Sequence, residues 1–156
     1  MTFLEKTADP RRLRHVEGDM EADYIYTAGI AGDRFLRSMK KDRTLRSARC
    51  ERCGIDFLPP RMYCERCLTP VTKEGRVPRT GLVEAWSAAR FDEDGHPLAE
   101  PQVWAIVRFE GLEGGLVHRL LVPVAEAKAG MKVRPVFKEP AKRTAEITDL
   151  LGFVPA

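Results

Sequence analysis

Hydrophobic and polar residues alternate along the second half of the chain, which is the pattern of half-buried β-strands. In QVWAIVRFE (102–110) every second residue from Val103 to Phe109 is apolar. Four more runs are β-prone, and they cover residues 82–91, 116–122, 133–137 and 144–153. Pro135 lies inside the fourth of the five runs, so we expect an edge or a bulge there.

The connections between these runs indicate how the strands are arranged. DEDGHP (92–97) and GLEGG (111–115) are short and rich in turn residues, so we expect hairpin turns. PVAEAKAGM (123–131) is a longer connection between the third and fourth runs. Five short strands with one such crossing fit an OB-fold barrel better than a seven-stranded sandwich.

The first part of the chain has a different pattern. Residues 1–23 are charge-rich without steady periodicity, so we expect an arm that is poorly ordered unless it docks on something. YIYTAG (24–29) is β-prone, and DRFLRSMKKDRTL (33–45) predicts a helix capped by Asp33. One helix face carries the apolar residues Phe35, Leu36 and Met39, and the opposite face carries the basic residues Arg34, Arg37, Lys40 and Lys41.

Between the helix and the strands lie all four cysteines, in the order C-E-R-C-G, nine further residues, then C-E-R-C. Two residues between paired cysteines allow a tight turn to aim both sulfurs at one point, and Gly54 suits such a turn. Pro59 and Pro60 favour a short hairpin that brings the second pair opposite the first. The pattern predicts a closed four-thiolate zinc site of zinc-ribbon type, with Cys50, Cys53, Cys64 and Cys67 as ligands.

Two alternatives exist for the cysteines. Disulfides need an oxidising compartment, which nothing else in the sequence supports. Iron in a rubredoxin-type site has the same four-sulfur geometry, although zinc is the commoner occupant. We expect the zinc to be structural, because four protein ligands leave no open position for water or substrate and so argue against Lewis-acid catalysis.

Together these patterns predict a mainly β protein with an N-terminal helical segment, a four-cysteine zinc ribbon and a C-terminal five-stranded OB-fold barrel. We expect three regions: residues 1–46 as arm and helix, 47–74 as ribbon, and 75–156 as barrel. The composition, 44% hydrophobic and 31% charged, suits a soluble globular protein. No apolar run is long enough to span a bilayer, and the N-terminus lacks a signal-peptide core, so we expect a cytoplasmic location.

Positive charge is concentrated in one segment. The net charge is only +3, but residues 34–52 carry eight Lys or Arg against two acidic residues. This distribution favours a compact anion or an acidic partner surface, contacted by Arg34, Arg37, Lys40 and Lys41, over a polynucleotide. A solvated helix face with no ligand explains the same pattern equally well.

Catalytic equipment is not evident in the sequence. Every cysteine is committed to the metal, and no G-x-S-x-G or phosphate-binding glycine loop occurs. Histidines are scattered at positions 15, 96 and 118, and His118 alternates with Leu116 and Leu120 as a hydrogen-bonded core histidine would. Because ribbons and OB-folds also bind single-stranded nucleic acid, that function is the alternative. It needs exposed stacking aromatics, whereas most of the strand aromatics alternate like core residues (Trp86, Phe91, Trp104, Phe109, Phe137 and Phe153).

The order of several segments resembles a known family. YIYTAG, the helix with Phe35 and Leu36, RCERCGIDFLPPRMYCERC, TGLVEAW, AGMKVRPVF and ITDLLGFVP follow one another as in domain-of-unknown-function family thirty-five. The resemblance covers roughly residues 22–156, and its most specific part is C-x-x-C-G with P-P-R before the second pair. Leu68 departs from the pattern, because a symmetric ribbon has glycine at that position.

The resemblance implies a rubredoxin-like zinc ribbon joined to an OB-fold, in an accessory subunit without catalytic residues. Such proteins are associated with thiolase-like enzymes, including thiolases, hydroxymethylglutaryl-CoA synthases and related aldolases. They are thought to bind acyl-CoA or to bridge partner enzymes. The resemblance therefore implies a non-catalytic acyl-CoA-binding or scaffolding subunit that partners a thiolase-like enzyme.

Overall fold

The computed structural model describes residues 9, 11, 26–92 and 94–156. Within these residues one α-helix, α1 (Gly29–Asp42), precedes nine strands, and three short 3-10 helices lie in the later connections. The strands are β1 (Arg46–Cys50), β2 (Ile55–Leu58), β3 (Lys73–Arg76), β4 (Gly81–Phe91), β5 (Pro97–Arg108), β6 (Leu112–Gly114), β7 (Leu116–Arg119), β8 (Lys132–Phe137) and β9 (Leu150–Pro155). They form two sheets, and the predicted mainly β fold class is confirmed.

Helix α1 begins four residues before the predicted start. Ala28, without a side-chain cap, precedes its first residue, so the prediction that Asp33 caps the helix is wrong. Asp33 instead lies within the helix and accepts a hydrogen bond of 2.8 Å from Arg37, one turn later. Arg43 ends the helix in a left-handed conformation (φ 53°). Residues 24 and 25 lie outside the described residues, and 26–28 form no strand, so the β-prone interpretation of 24–29 is not supported.

The first sheet has the order β3-β1-β2-β6 and carries the cysteines. Its first three strands are antiparallel neighbours, while β6 pairs with β2 in parallel, with Asp56 opposite Leu112 and Leu58 opposite Gly114. Strand β6 falls in the GLEGG connection that the sequence predicts to be a simple turn. The connection joins the antiparallel neighbours β5 and β7 of the second sheet, and its own strand β6 completes the first sheet.

The second sheet has the order β7-β5-β4-β8-β9, and all its neighbouring strands are antiparallel. A parallel bridge between Leu120 and Phe153 joins its two ends, which closes the barrel. These are the five predicted strands, in an OB-like arrangement. A register irregularity lies between Val136 and Phe137, next to Pro135, as the proline predicts.

The last strand begins at Leu150, later than predicted. The preceding residues form a turn around the fully buried Asp149, whose carboxylate accepts backbone hydrogen bonds from Thr144 (2.9 Å) and Ala145 (2.8 Å). Despite the opposing effect of burial, these hydrogen bonds keep the pKa of Asp149 below its usual value. The local side-chain bonds replace the sheet hydrogen bonds that the sequence pattern predicts for this segment.

The main core fills the barrel and extends under α1. Phe35 and Met39 of the helix are buried with barrel residues such as Val83, Val107 and Phe153, and Leu36 is half-buried against the same core. The buried Arg143 fixes the helix end, because its guanidinium donates to the carbonyls of Lys40 (2.8 Å) and Lys138 (2.7 Å). The basic helix is thus held on the barrel at its C-terminal end. None of the helices among the described residues is long and apolar enough to cross a membrane.

Candidate metal centre and adjoining groove

Two turns of the same geometry position the cysteines. The first follows β1, and the N–H of Gly54 donates to the carbonyl of Cys50 at 2.8 Å. In the second, the N–H of Leu68 donates to the carbonyl of Cys64 at the same distance. Both donor residues have positive φ, 69° for Gly54 and 57° for Leu68. The departure at Leu68 therefore leaves the second turn intact, with a leucine in a conformation that favours glycine.

The segment between the turns brings the second pair of cysteines opposite the first. After β2 the chain turns at Pro59 and Pro60, and a bridge between Tyr63 and Pro70 closes the returning loop. The N–H of Cys64 donates to the carbonyl of Thr69 at 2.9 Å. The predicted folding of this segment over the first pair is thus observed.

The four sulfurs form one compact cluster. Sγ of Cys50 lies 3.6 Å from Sγ of Cys67, Sγ of Cys53 lies 3.9 Å from Sγ of Cys64, and all four lie within 4.8 Å of one another. In a tetrahedral site with zinc–sulfur bonds of about 2.3 Å, the sulfurs are about 3.8 Å apart. The donor set and its spacing therefore fit a structural metal ion.

The electrostatics of the cluster also favour a cation. The Thr69 hydroxyl lies 3.3 Å from Sγ of Cys67, and hydrogen bonding to Thr69 lowers the pKa of the Cys67 thiol to about 6. Hydrogen bonding with Cys67 is the largest cause that raises the pKa of Cys53 to about 12. Four neighbouring thiols therefore cannot all ionise without a compensating positive charge, and a bound metal cation supplies it.

An apolar groove of about 180 Å³ lies beside the metal centre, between α1 and the cysteine-bearing sheet. Its walls include Phe35 and Val71, which are buried, and Ile30 and Tyr63, which are exposed. Its polar lining includes four basic residues and one acidic residue: Arg34, Arg46, Arg61, Lys73 and Glu74. Sequence reasoning does not find this groove, because its walls come from segments that are far apart in the sequence.

The predicted basic face of α1 is exposed along its length. Arg34 lines the groove and donates to the carbonyl of Thr72 at 3.4 Å. Arg37 forms an ion pair with Asp33. Lys40 and Lys41 lie in the last helical turn, where positive charge interacts favourably with the negative end of the helix dipole. Of these four residues, Arg34 alone lines the groove.

The histidines form no common site among the described residues, and His15 lies outside them. His96 is exposed in the β4–β5 hairpin with Asp92 and Asp94, where the Asp92 carboxylate accepts the backbone N–H groups of the other two. These bonds are those of a turn and need no ligand. His118 packs on Trp104 and Phe153, and a backbone hydrogen bond with Ile147 engages its imidazole, while its buried Nδ1 finds no partner among the described residues. The predicted hydrogen-bonded histidine is thus found in part.

The strand aromatics divide into two groups. Phe109, Phe137 and Phe153 are buried, as their alternation predicts. In contrast, Trp86 and Trp104 are 37% and 39% exposed, and Phe91 is 61% exposed. Three of these six aromatic residues, most of which were expected in the core, therefore lie at the surface of β4 and β5. A register irregularity between Ala89 and Phe91 breaks the regular alternation in this part of β4.

Comparison with known proteins supports the predicted resemblance. Residues 74–138 match the family model described as ChsH2, C-terminal OB-fold domain. A crystal structure of a protein with unknown function from the DUF35 family of Sulfolobus solfataricus is 25% identical, with a TM-score of 0.65 and coverage of 82% of this chain and 87% of that chain. A structure described as Ltp2-ChsH2(DUF35) aldolase is 27% identical, with a TM-score of 0.59 and coverage of 79% of this chain and 93% of that chain.

No curated protein sequence matches the chain. The two solved structures nevertheless cover most of the described residues, and both carry the DUF35 designation. The resemblance to domain-of-unknown-function family thirty-five, predicted from the order of the motifs, is therefore confirmed.

Proposed function

We propose that this chain is a non-catalytic subunit that partners a thiolase-like enzyme and helps it to handle acyl-CoA. The observation that carries the proposal is the similarity to the structure described as Ltp2-ChsH2(DUF35) aldolase, which extends over most of both chains. Thiolase-like partners are also what the family resemblance implies. The separate features of the chain support this role in different ways.

The non-catalytic role is supported by the placement of the reactive side chains. All four cysteines gather at one site, where a bound metal would occupy every sulfur and leave no thiolate as a nucleophile. His118 packs between aromatic rings, and His96 belongs to an exposed turn. Neither histidine lies beside a serine or cysteine that it would activate, among the contacts of the described residues. The chemistry is therefore assigned to the partner enzyme.

We infer that the metal is zinc, held by Cys50, Cys53, Cys64 and Cys67. Four sulfur ligands at these separations select zinc or iron, and a closed site of this kind contributes to folding. The ion when bound supplies positive charge to four thiolates. The two turns hold the sulfurs in place through their backbone hydrogen bonds, so the site is structural.

Acyl-CoA suits the groove beside the metal centre. Its apolar walls fit a thioester-linked alkyl or pantetheine chain, and the basic residues of α1 fit phosphates. Arg34 belongs to both surfaces, because it lines the groove and also lies on the basic face with Arg37, Lys40 and Lys41. An extended anionic ligand would thus contact both at once. An acidic surface of the partner enzyme would use the same basic face.

The test combines co-purification and titration. The chain is co-expressed with a thiolase-like enzyme of its own organism, and the purified chain and complex are titrated with coenzyme A and acetyl-CoA by calorimetry. We expect a complex that survives moderate salt and binding that weakens when the four basic residues of α1 become glutamine. A control variant removes the same charge elsewhere, from the exposed residues Lys128, Lys132, Arg134 and Lys142. Equal binding by wild type and both variants would show that the helix face is merely solvated.

Single-stranded nucleic-acid binding remains the second candidate, because one observation favours it. Phe91 and Trp104 are partly exposed on neighbouring strands of an OB-like barrel, and bases stack on exposed aromatic rings in proteins of that class. Titration with a fluorescent single-stranded oligonucleotide distinguishes the two functions. Tight, sequence-tolerant binding that is lost in Trp104→Ala, with no thiolase-like enzyme co-eluting, would support this candidate instead.

A further inference from the structure

One edge of β4 is open over most of its length. On one side β4 pairs with β5 from Leu82 to Phe91. On the other side it pairs with β8 only at Gly81 and Leu82, and backbone bonds of Val83 with Met131 and Gly130 extend this contact by one residue. From residue 84 to 91 no described residue hydrogen-bonds to that edge. Alternate residues there point N–H and C=O groups outward that have no backbone partner among the described residues.

The middle of the open edge lacks two of the usual protections against pairing, lysine and proline. Natural edges are commonly blunted by lysine, proline or bulges. Residues 85–89 read Ala-Trp-Ser-Ala-Ala, without lysine or proline and with small side chains at four of five positions. Register irregularities lie at both ends of this segment, between Val83 and Ala85 and between Ala89 and Phe91. They limit the pairing-competent edge to about five residues, which is a common strand length.

We propose that two copies of this chain pair through the open edge of β4, antiparallel about Ser87. A twofold axis at this residue places each Ser87 opposite the other. It also sets Trp86 of one copy opposite Ala88 of the second, and it brings Glu84 near Arg90 just outside the paired residues 85–89. The sequence is therefore complementary to itself in both size and charge.

The structure supports each of these contacts. Trp86 and Ala88 pair across the sheet with the buried residues Ala105 and Val103, so both lie on the same face of β4. Trp86 is 37% exposed, and a small partner residue would accommodate its ring. At the two ends of the proposed pairing lie Glu84 and Arg90. Glu84 contacts Arg108 at 2.6 Å but is still half-exposed, and Arg90 has no ion pair within the described part of the chain. Arg90 is thus available to the second copy.

Charge substitutions at Ser87 test this pairing, because the residue is exposed and lies on the twofold axis. Ser87→Lys and Ser87→Glu each place two like charges directly opposite one another, whereas a mixture of the two variants places opposite charges there. By sedimentation equilibrium we expect the wild type to dimerise and each variant alone to associate about tenfold more weakly or worse. The mixture should recover the dimer. Val117→Lys, a control at a 65% exposed position two strands away, should dimerise like the wild type.

Three results would overturn the proposal. The first is a wild-type chain that stays monomeric at all concentrations. The second is a dimer that neither Ser87 variant weakens, which would place the contact elsewhere. The third is a monomer whose binding to the thiolase-like enzyme is lost in Ser87→Lys, which would assign the edge to a strand of that enzyme. The last result would leave the proposed partnership itself intact, so the two proposals fail separately. Circular dichroism of each variant verifies that the barrel is folded.

Discussion

Leu68 repeats the backbone conformation of Gly54 on the opposite side of the cysteine cluster. Each residue follows the second cysteine of its pair, each has a positive φ, and each donates its N–H to the carbonyl of the first cysteine at 2.8 Å. The two turns differ mainly in that one holds a residue with a Cβ. The Leu68 side chain is 76% exposed, so packing does not compensate for the strained backbone.

Replacing Leu68 with glycine should therefore stabilise the protein. We expect Leu68→Gly to raise the free energy of unfolding by up to about 1 kcal/mol, because it removes left-handed strain but adds freedom to the unfolded chain. Gly54→Ala, which introduces the strain in the other turn without any clash, should lower it by about the same amount. Urea unfolding of the metal-loaded protein measures both. A destabilised Leu68→Gly variant would show that the leucine makes contacts of its own.

Metal content should depend on each of the four cysteines. We expect one zinc per chain by elemental analysis, and loss of zinc with a lower melting temperature in Cys53→Ser and Cys64→Ser, since metal binding and folding of the ribbon are coupled. A chelator should have the same effect on the wild type. His96→Ala, which removes a potential ligand from the other cluster, should keep full zinc content. Zinc retained by Cys64→Ser would refute the four-cysteine site.

Gly114 joins the two sheets and should tolerate no side chain. Its φ is 92°, and an added Cβ would overlap the carbonyl oxygen of Leu58 on the neighbouring strand β2. Gly114→Ala should cost more than about 3 kcal/mol of stability, because backbone strain and a steric clash add. Gly111→Ala is the matched control, with φ 74° and open space around the new Cβ, and should cost only about 1 kcal/mol. Denaturant unfolding distinguishes the two variants. Equal losses of unfolding free energy would mean that β2 and β6 can move apart at little energetic cost.

His118 should make stability depend on pH. Burial lowers the pKa of its imidazole below the ordinary value of 6.5. A backbone hydrogen bond with Ile147 opposes this effect, and nearby Arg119 adds to it. The folded protein therefore keeps His118 neutral, and its contribution is fully present above pH 6.5. As the pH falls below 6.5, the unfolded chain binds a proton more readily than the folded one, and stability decreases. Unfolding of wild type and His118→Gln from pH 8 to 5 measures this, and we expect a smaller acid-induced loss in the variant. Parallel pH profiles would exclude His118 as the cause.

Much of the barrel and the metal centre could be predicted because their signals are local. Alternation with a period of two identifies strands such as β5, since successive side chains of a strand point to opposite faces. The two C-x-x-C pairs identify four sulfurs that converge, because each pair needs only its own turn. Neither inference depends on how distant segments meet.

Local signals were misleading where a distant contact decides the conformation. The pattern of 144–153 predicts a strand throughout, yet the buried Asp149 holds its first half in a turn. Trp86 is likewise among the strand aromatics expected mostly in the core, yet its ring is 37% exposed. Hydrophobicity alone does not tell which face of a strand is covered.

The sequence by itself determined the fold class, the five barrel strands and the clustering of the cysteines, because these follow from residue type and short-range spacing. Only the tertiary structure decided that β6 leaves the barrel to pair with β2, that the groove forms between α1 and the ribbon, and that one edge of β4 has no partner within residues 26–156 as described. Each of these depends on the packing of segments far apart in the chain, for which a single sequence carries no pattern. The proposed boundaries after residues 46 and 74 stay a prediction. Strand β6 crosses the second boundary in space, because it belongs to the ribbon sheet although its residues lie within 75–156.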